Sequence, residues 1–305
     1  MAAALTVALA WATPARAAGD PSCAPWKVRT IASGQGVLEN LEPDGRGGLL
    51  ISNNGAGEID RLTPDGRVAT LIAGLNSPGG QRLHGGYLYF NTGDSAQAGL
   101  LQTTDGTIER YDFATGRHVT WTRGLSMPNG LIFLPSGDAA VSRDSPGWGI
   151  TRVPFADPAH FQRNWVTTND SNGMAVDPTR TWLYFDETFQ PGGLVMRARL
   201  ADPSDVEQVA ALGSGLDLDD LTIDRAGVLY VAANRPAPLG QIIRLDPATG
   251  RSCVIADGLA DPSAVKFGCG PGWPADRLYV VGFGGDVDEL TPPAGARPPR
   301  GVCDS

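Results

Sequence analysis

Apolar residues in this chain come in short runs of four to six, broken by Gly, Asp and Pro, and no long stretch carries the 3.6-residue period of a helix. The runs follow an order that repeats. Six segments begin with a small or polar pair and lead into a short apolar strand: "ENLEPDGRGGLLIS" from Glu39, "GGQRLHGGYLYFNTG" from Gly79 and "NGLIFLPSGDAAVS" from Asn129 come first. The other three are "NGMAVDPTRTWLYFD" from Asn172, "DDLTIDRAGVLYVAA" from Asp219 and "SAVKFGCGPGWPADRLYVVG" from Ser263. Their starts are 40, 50, 43, 47 and 44 residues apart. Each continues through a second apolar strand, a third such as "TIERYDFATG" or "QIIRLDPATG", and a fourth such as "HVTWTRGL" or "SCVIADGL". Four short strands per repeat of this length predict propeller blades. A sandwich has enough strands but gives no reason for six copies in one register. The expectation is all-β: a six-bladed β-propeller with four antiparallel strands per blade, in one domain over residues 23–305.

Equivalent points of the blades lie at one height around a propeller axis, so the six starting residues should form a ring at the channel mouth. A single Asn-Gly is ordinary turn chemistry. Here Glu39, Asn129, Asn172 and Asp219 all place carboxylate or amide oxygens at the same register, and Asp220 adds another carboxylate. Hard divalent cations such as calcium take oxygen ligands of these types. The expected metal set is Glu39, Asn129, Asn172 and Asp219, with Gly79 and Ser263 leaving one side open to water or substrate.

This ordered Glu-Asn-Asn-Asp register resembles the gluconolactonase/regucalcin (senescence marker protein) family and, more distantly, the paraoxonases. The resemblance implies a calcium ion bound by Glu39 ("LENLEPDG"), Asn172 ("SNGMAVD") and Asp219 ("LDDLTIDRAG"), with Asn129 touching substrate. The paraoxonase pattern adds both Asn residues and the position of Asp220 as ligands. It also implies hydrolysis of a small-molecule lactone or ester, the ion polarising the carbonyl and a carboxylate helping water to attack. Asp219 or Asp220 is the expected base. The chain departs from the family at Leu218-Asp219-Asp220, where members often read Pro-Asp-Gly. The paraoxonase His pair has no counterpart: His84 aligns with the far-end turns, and His118 and His160 fall in outer positions.

Substrate contacts are expected from the loops after each second strand, which return to the mouth. They carry Asn53, Asn91, Asp94, Arg143, Asp144, Asp186, Glu187, Asn234 and Arg235. Arg143 and Arg235 could grip a carboxylate or sugar oxygen through a guanidinium fork. No G-x-S-x-G element is present, so a serine triad is not indicated. Two other readings share the fold: a non-catalytic binding propeller, and a strictosidine-synthase-like propeller that uses a Glu base and no metal.

The formal net charge of −9, with no basic stripe, argues against a nucleic-acid partner. The apolar start "MAAALTVALAWATPARAAGD" offers Ala15-Arg16-Ala17 as a signal-peptidase site, so residues 1–17 read as a signal peptide and the protein as secreted or periplasmic, free of the membrane after cleavage. Four cysteines outside any CxxC pattern agree with export. Three pairings are open. The terminal placement of Cys23 and Cys303 favours one bond between them, closing the ring, and a second between Cys253 and Cys269.

Overall fold

The computed structural model describes residues 21–144, 147–295 and 298–302; the expected signal peptide and Cys303 lie outside them. Apart from one short helix, Ala96–Leu101, and a single 3₁₀ turn, the regular elements are strands. They form six four-stranded antiparallel sheets. This is the six-bladed β-propeller read from the repeats. The innermost strands are Leu38–Pro43, Gln81–His84, Pro128–Phe133, Ser171–Val176, Asp217–Ile223 and Pro262–Phe267, for blades 1 to 6 in order. In blades 1 to 5 the four strands follow consecutively from the axis outward. Blade 6 takes its outermost strand, Lys27–Ala32, from the beginning of the chain, paired with Val287–Thr291. Among the described residues no helix is long and apolar enough to cross a membrane.

The core explains why one sheet of this kind cannot stand alone. Buried apolar residues fall into six clusters, each shared by two neighbouring blades. Leu131, Ala139 and Val141 of blade 3 meet Tyr89 and Ile108 of blade 2, for example. Ile132, Ala140 and Ile150 turn their other face to Met174, Leu183 and Phe185 of blade 4. Alternate side chains of one strand thus serve two interfaces, and every blade is buried on both faces.

Ring closure differs from expectation. Cys23 is bonded to Cys253, not to Cys303, with Cα atoms 5.8 Å apart. Cys253 is therefore also not joined to Cys269, which is disulfide-bonded elsewhere. The physical reason lies in the path of the N-terminal segment. Before entering blade 6 it crosses the outer strand of blade 5, Arg251–Leu259, where the Trp26 amide donates to the Ile255 carbonyl at 2.7 Å. Trp26 packs there with Tyr230, Ile255 and Leu259, which holds Cys23 over Cys253.

Candidate active site at the propeller mouth

The Asn-Gly corners are not turns. Asn129-Gly130 and Asn172-Gly173 lie inside the innermost strands of blades 3 and 4. At this point the register slips in five blades, between Leu38 and Asn40, Pro128 and Leu131, Ser171 and Met174, Leu218 and Asp220, and Pro262 and Ala264. A bulge adds a residue without a ladder partner and re-aims its side chain. That places Glu39, Asn129, Asn172, Asp219 and Ser263 out of the ladder at the head of their strands.

The glycines answer to packing between blades. A Cβ on Gly130 would stand 2.4 Å from the Asn172 carbonyl oxygen, and one on Gly173 would stand 2.4 Å from the Asp220 Cα. Gly80 faces the Asn129 carbonyl oxygen in the same way, at 2.3 Å. Each glycine lets the next blade's backbone approach.

Side chains converge at this level. The Asn129 amide donates to Glu39 Oε1 at 3.1 Å and to Asp94 Oδ2 at 3.2 Å. The Asn172 amide donates to Asp219 Oδ1 at 2.7 Å, and Asn234 Nδ2 to Asp219 Oδ2 at 2.8 Å. Glu39, Asp94, Asn129, Asn172 and Asp219 are all buried. Asp94 lies two residues beyond the second strand of blade 2, Tyr87–Thr92, and occupies the place Gly79 leaves open: a Cβ on Gly79 would lie 2.6 Å from its Oδ2. Blade 2 thus contributes an acid to the ring from the connection after its second strand.

The centre is strongly acidic. Burial pushes the carboxyl of Glu39 well above its usual range, and the charges of Asp94, Asp219 and Asp144 push it further. Asp94 is raised by burial, then by Asp144 and Asp219. Asp219 is raised by burial above all; the Asn234 and Asn172 amide bonds lower it, and the charges of Asp144 and Asp220 raise it.

The other expected residues separate into groups. Asp186 is fully buried, accepts from the Gly173 amide at 2.9 Å, and has a second oxygen, Oδ2, without a hydrogen-bond partner. Burial, then Asp220 and Asp219, raise its carboxyl. Asp220 points away from the ring into an ion pair with Lys266 Nζ at 3.0 Å. Arg143 bonds Gln102 through one guanidinium nitrogen, while its buried Nε has no hydrogen-bond partner. Arg235 is half-buried; burial raises the Asp217 carboxyl, and the Arg235 charge offsets only part of that. The histidines stand apart: His84 stacks on Phe133 at 3.9 Å at the far end of its strand, His118 lies on an outer strand, and His160 pairs with Asp157.

Sequence reasoning missed Lys266. It stands three residues below Ser263, as Glu42 and Arg82 stand three below Glu39 and Gly79. Arg82 and Glu42 pair at 3.4 Å, so a charged layer lies under the acidic ring on blades 6, 1 and 2. Reading the repeats at that second offset would have exposed it.

Among the described residues, no three His, Cys, Asp or Glu side chains form a ready metal cage. The donor chemistry nonetheless fits a hard cation: carboxylates and amides only, mutually repelling, in a buried setting. An amide whose N–H groups face carboxylates can bring its oxygen to the same point by turning half a revolution.

No family model and no curated protein sequence matches the chain. Solved structures do. A gluconolactonase from Xanthomonas campestris aligns with a TM-score of 0.71 at 18% identity, over 93% of this chain and 96% of its own. A calcium-binding protein, regucalcin, from Agrobacterium tumefaciens aligns at 0.68 and 17%, over 92% and 97%. The fold is that of the gluconolactonase and regucalcin propellers. A luciferin-regenerating enzyme shares it too, with a TM-score of 0.64 at 13% identity over 92% of this chain and 98% of its own. Such identities establish the architecture alone, and the chemistry has to be read from the site.

Proposed function

We propose that the protein is an exported hydrolase of small lactones or esters that depends on a divalent cation, calcium by donor type, bound at the propeller mouth. One observation carries this reading: four acids, Glu39, Asp94, Asp144 and Asp219, face one another in a buried ring whose amides come from two further strands. Buried like charges are costly without a compensating cation.

Glu39, Asn129, Asn172 and Asp219 are the residues that would hold the ion. When bound, such an ion offsets the ring's charge and polarises a substrate carbonyl. Asp219 is the carboxylate we assign to take the proton of the attacking water, through an oxygen that the ion leaves free. Asp220, tied to Lys266, fixes the strand that carries Asp219. We assign the orientation of substrate to Asn129, Asp186, Arg143 and Arg235. The gluconolactonase and regucalcin neighbours support a lactone and calcium respectively.

The test is a hydrolysis screen over lactones and aryl esters, with and without calcium, paired with melting curves. Calcium is expected to raise Tm and support turnover, and Asp219→Asn to remove both effects. A melting curve indifferent to calcium and to EDTA would end the metal reading.

A further inference from the structure

A cavity of about 690 Å³ lies at the seam of blades 5 and 6, at the end of the propeller away from the mouth. Sites for small molecules occupy about 300–1,000 Å³. Its floor is blade 5, from the far-end turn at Asp224 and Arg225 across Tyr230 and Arg244. One wall is the N-terminal segment at Ser22 and Trp26, just before the strand that completes blade 6. The other is the segment that leaves blade 6 after Thr291 and carries four prolines and Arg300. That segment is fastened under the turn of blade 5. The Arg225 amide donates to the Arg300 carbonyl at 2.9 Å, and Arg225 Nε to the Gly301 carbonyl at 3.1 Å.

The charge here is the reverse of the protein's. The chain has a formal net charge of −9, yet Arg225, Arg244 and Arg300 line this cavity against one acid, Asp224. That acid is already engaged: its Oδ1 accepts the Ala226 and Val228 amides at 2.8 and 3.0 Å, and its Oδ2 the Tyr230 hydroxyl at 3.4 Å. The third-strand arginines of blades 1, 3 and 4 each pair with a carboxylate, Arg61 with Asp44, Arg152 with Asp138 and Arg197 with Glu207. Arg244 holds the equivalent place in blade 5, but its ladder neighbours are Tyr230 and Cys253, neither of them a carboxylate. Its guanidinium lies against the Tyr230 hydroxyl. A guanidinium fork so placed suits a carboxylate from outside the chain.

The rest of the lining is apolar and stiff. The Trp26 ring stands 5.8 Å from that of Tyr230, and Val228 and the prolines complete the enclosure. A planar aromatic ring gains more from such walls than a flexible chain does, because it stacks on indole and gives up less conformational freedom. We propose that this cavity is a second binding site, for aromatic carboxylates: Arg244 and Arg300 hold the carboxylate, and Trp26 with the prolines holds the ring. The site depends neither on the hydrolase reading nor on a cation at the mouth.

The test is calorimetric titration of the full chain with 2-naphthoate, in EDTA so that no cation at the mouth takes the carboxylate. Saturable binding is expected. 2-Naphthamide, the same ring without the charge, should bind roughly tenfold to a hundredfold more weakly, the range that hydrogen bonds to charged groups supply. Inorganic phosphate, an anion without a ring, should also bind more weakly. Arg244→Gln/Arg300→Gln should lose roughly a hundredfold in naphthoate affinity. Arg300 is exposed, so Arg300→Glu leaves the packing intact and should by itself weaken naphthoate by roughly tenfold. Asp219→Asn, at the mouth, should bind naphthoate like the parent. Absence of binding, naphthamide or phosphate binding as tightly as naphthoate, affinity that survives Arg300→Glu, or affinity lost in Asp219→Asn overturns the inference.

Discussion

Gly173→Ala tests the spacing of the blades at the site itself. The added Cβ would lie 2.4 Å from the Asp220 Cα and 2.4 Å from the Leu221 amide nitrogen, where 3.4 Å begins ordinary contact. Both atoms are backbone of the next blade's innermost strand, so no side chain can swing aside. The seam between blades 4 and 5 must open by about 1 Å, or the strand carrying Gly173 must shift as far. Overpacking of this kind costs about 1–3 kcal/mol. For a chain of this size the expected loss of Tm is roughly 2 to 5 °C. The same movement pulls Asn172 away from Asp219, which it now bonds at 2.7 Å. Differential scanning calorimetry reads the first effect and calcium titration the second. Gly173→Val should cost more than Gly173→Ala, because its branches extend the same clash. An alanine variant as stable as the parent would show that the blades do not approach as described.

Replacing both Cys23 and Cys253 by serine removes a link across 230 residues, for which chain entropy gives about 5 kcal/mol; denaturant unfolding should show most of that loss, and an unchanged midpoint would contradict its role in closing the ring. Lys266→Met leaves Asp220 buried without its cation and should destabilise by about 3–5 kcal/mol. The double variant with Asp220→Asn should recover much of this in the same assay. Burial would raise the Glu289 carboxyl, but its bonds to Arg29 and Arg277 outweigh that and hold it below the usual range. Its folded pKa thus lies under the unfolded one, so its contribution is present at neutral pH and lost as pH falls through the folded value. The stability gap between parent and Glu289→Gln, measured by urea unfolding, should therefore shrink with acidification. A gap constant down to pH 3 would rule the ion pairs out.

The fold was legible because propeller blades repeat their strand order, and a repeat is visible without knowing any contact. The ring residues were legible for the same reason: Glu39, Asn129, Asn172 and Asp219 share one register. What a register cannot give is the direction of neighbours across a seam. Gly130 and Gly173 read locally as turn residues, and only the adjacent blade shows why they lack a side chain. Asp220 looked equivalent to Asp219, yet the alternation of a strand sends it toward blade 6 and Lys266. The cysteine pairing failed because Cys23 precedes the first repeat. Its segment carries no register, and its path over blade 5 is set by Trp26.

Blade 2 shows what the ring permits. Gly79 gives up the seat at the axis, and Asp94 fills it from just beyond the following strand. The pairing beneath is undisturbed, with Gln81 through His84 opposite Phe90 through Tyr87 in unbroken order. Chemistry at the opening can therefore be exchanged between two carriers within one module while the scaffold stays constant. A new reactive group can arrive just past the outgoing strand before the incoming one surrenders its own, which gives this architecture a route to altered reactions through intermediates that still fold.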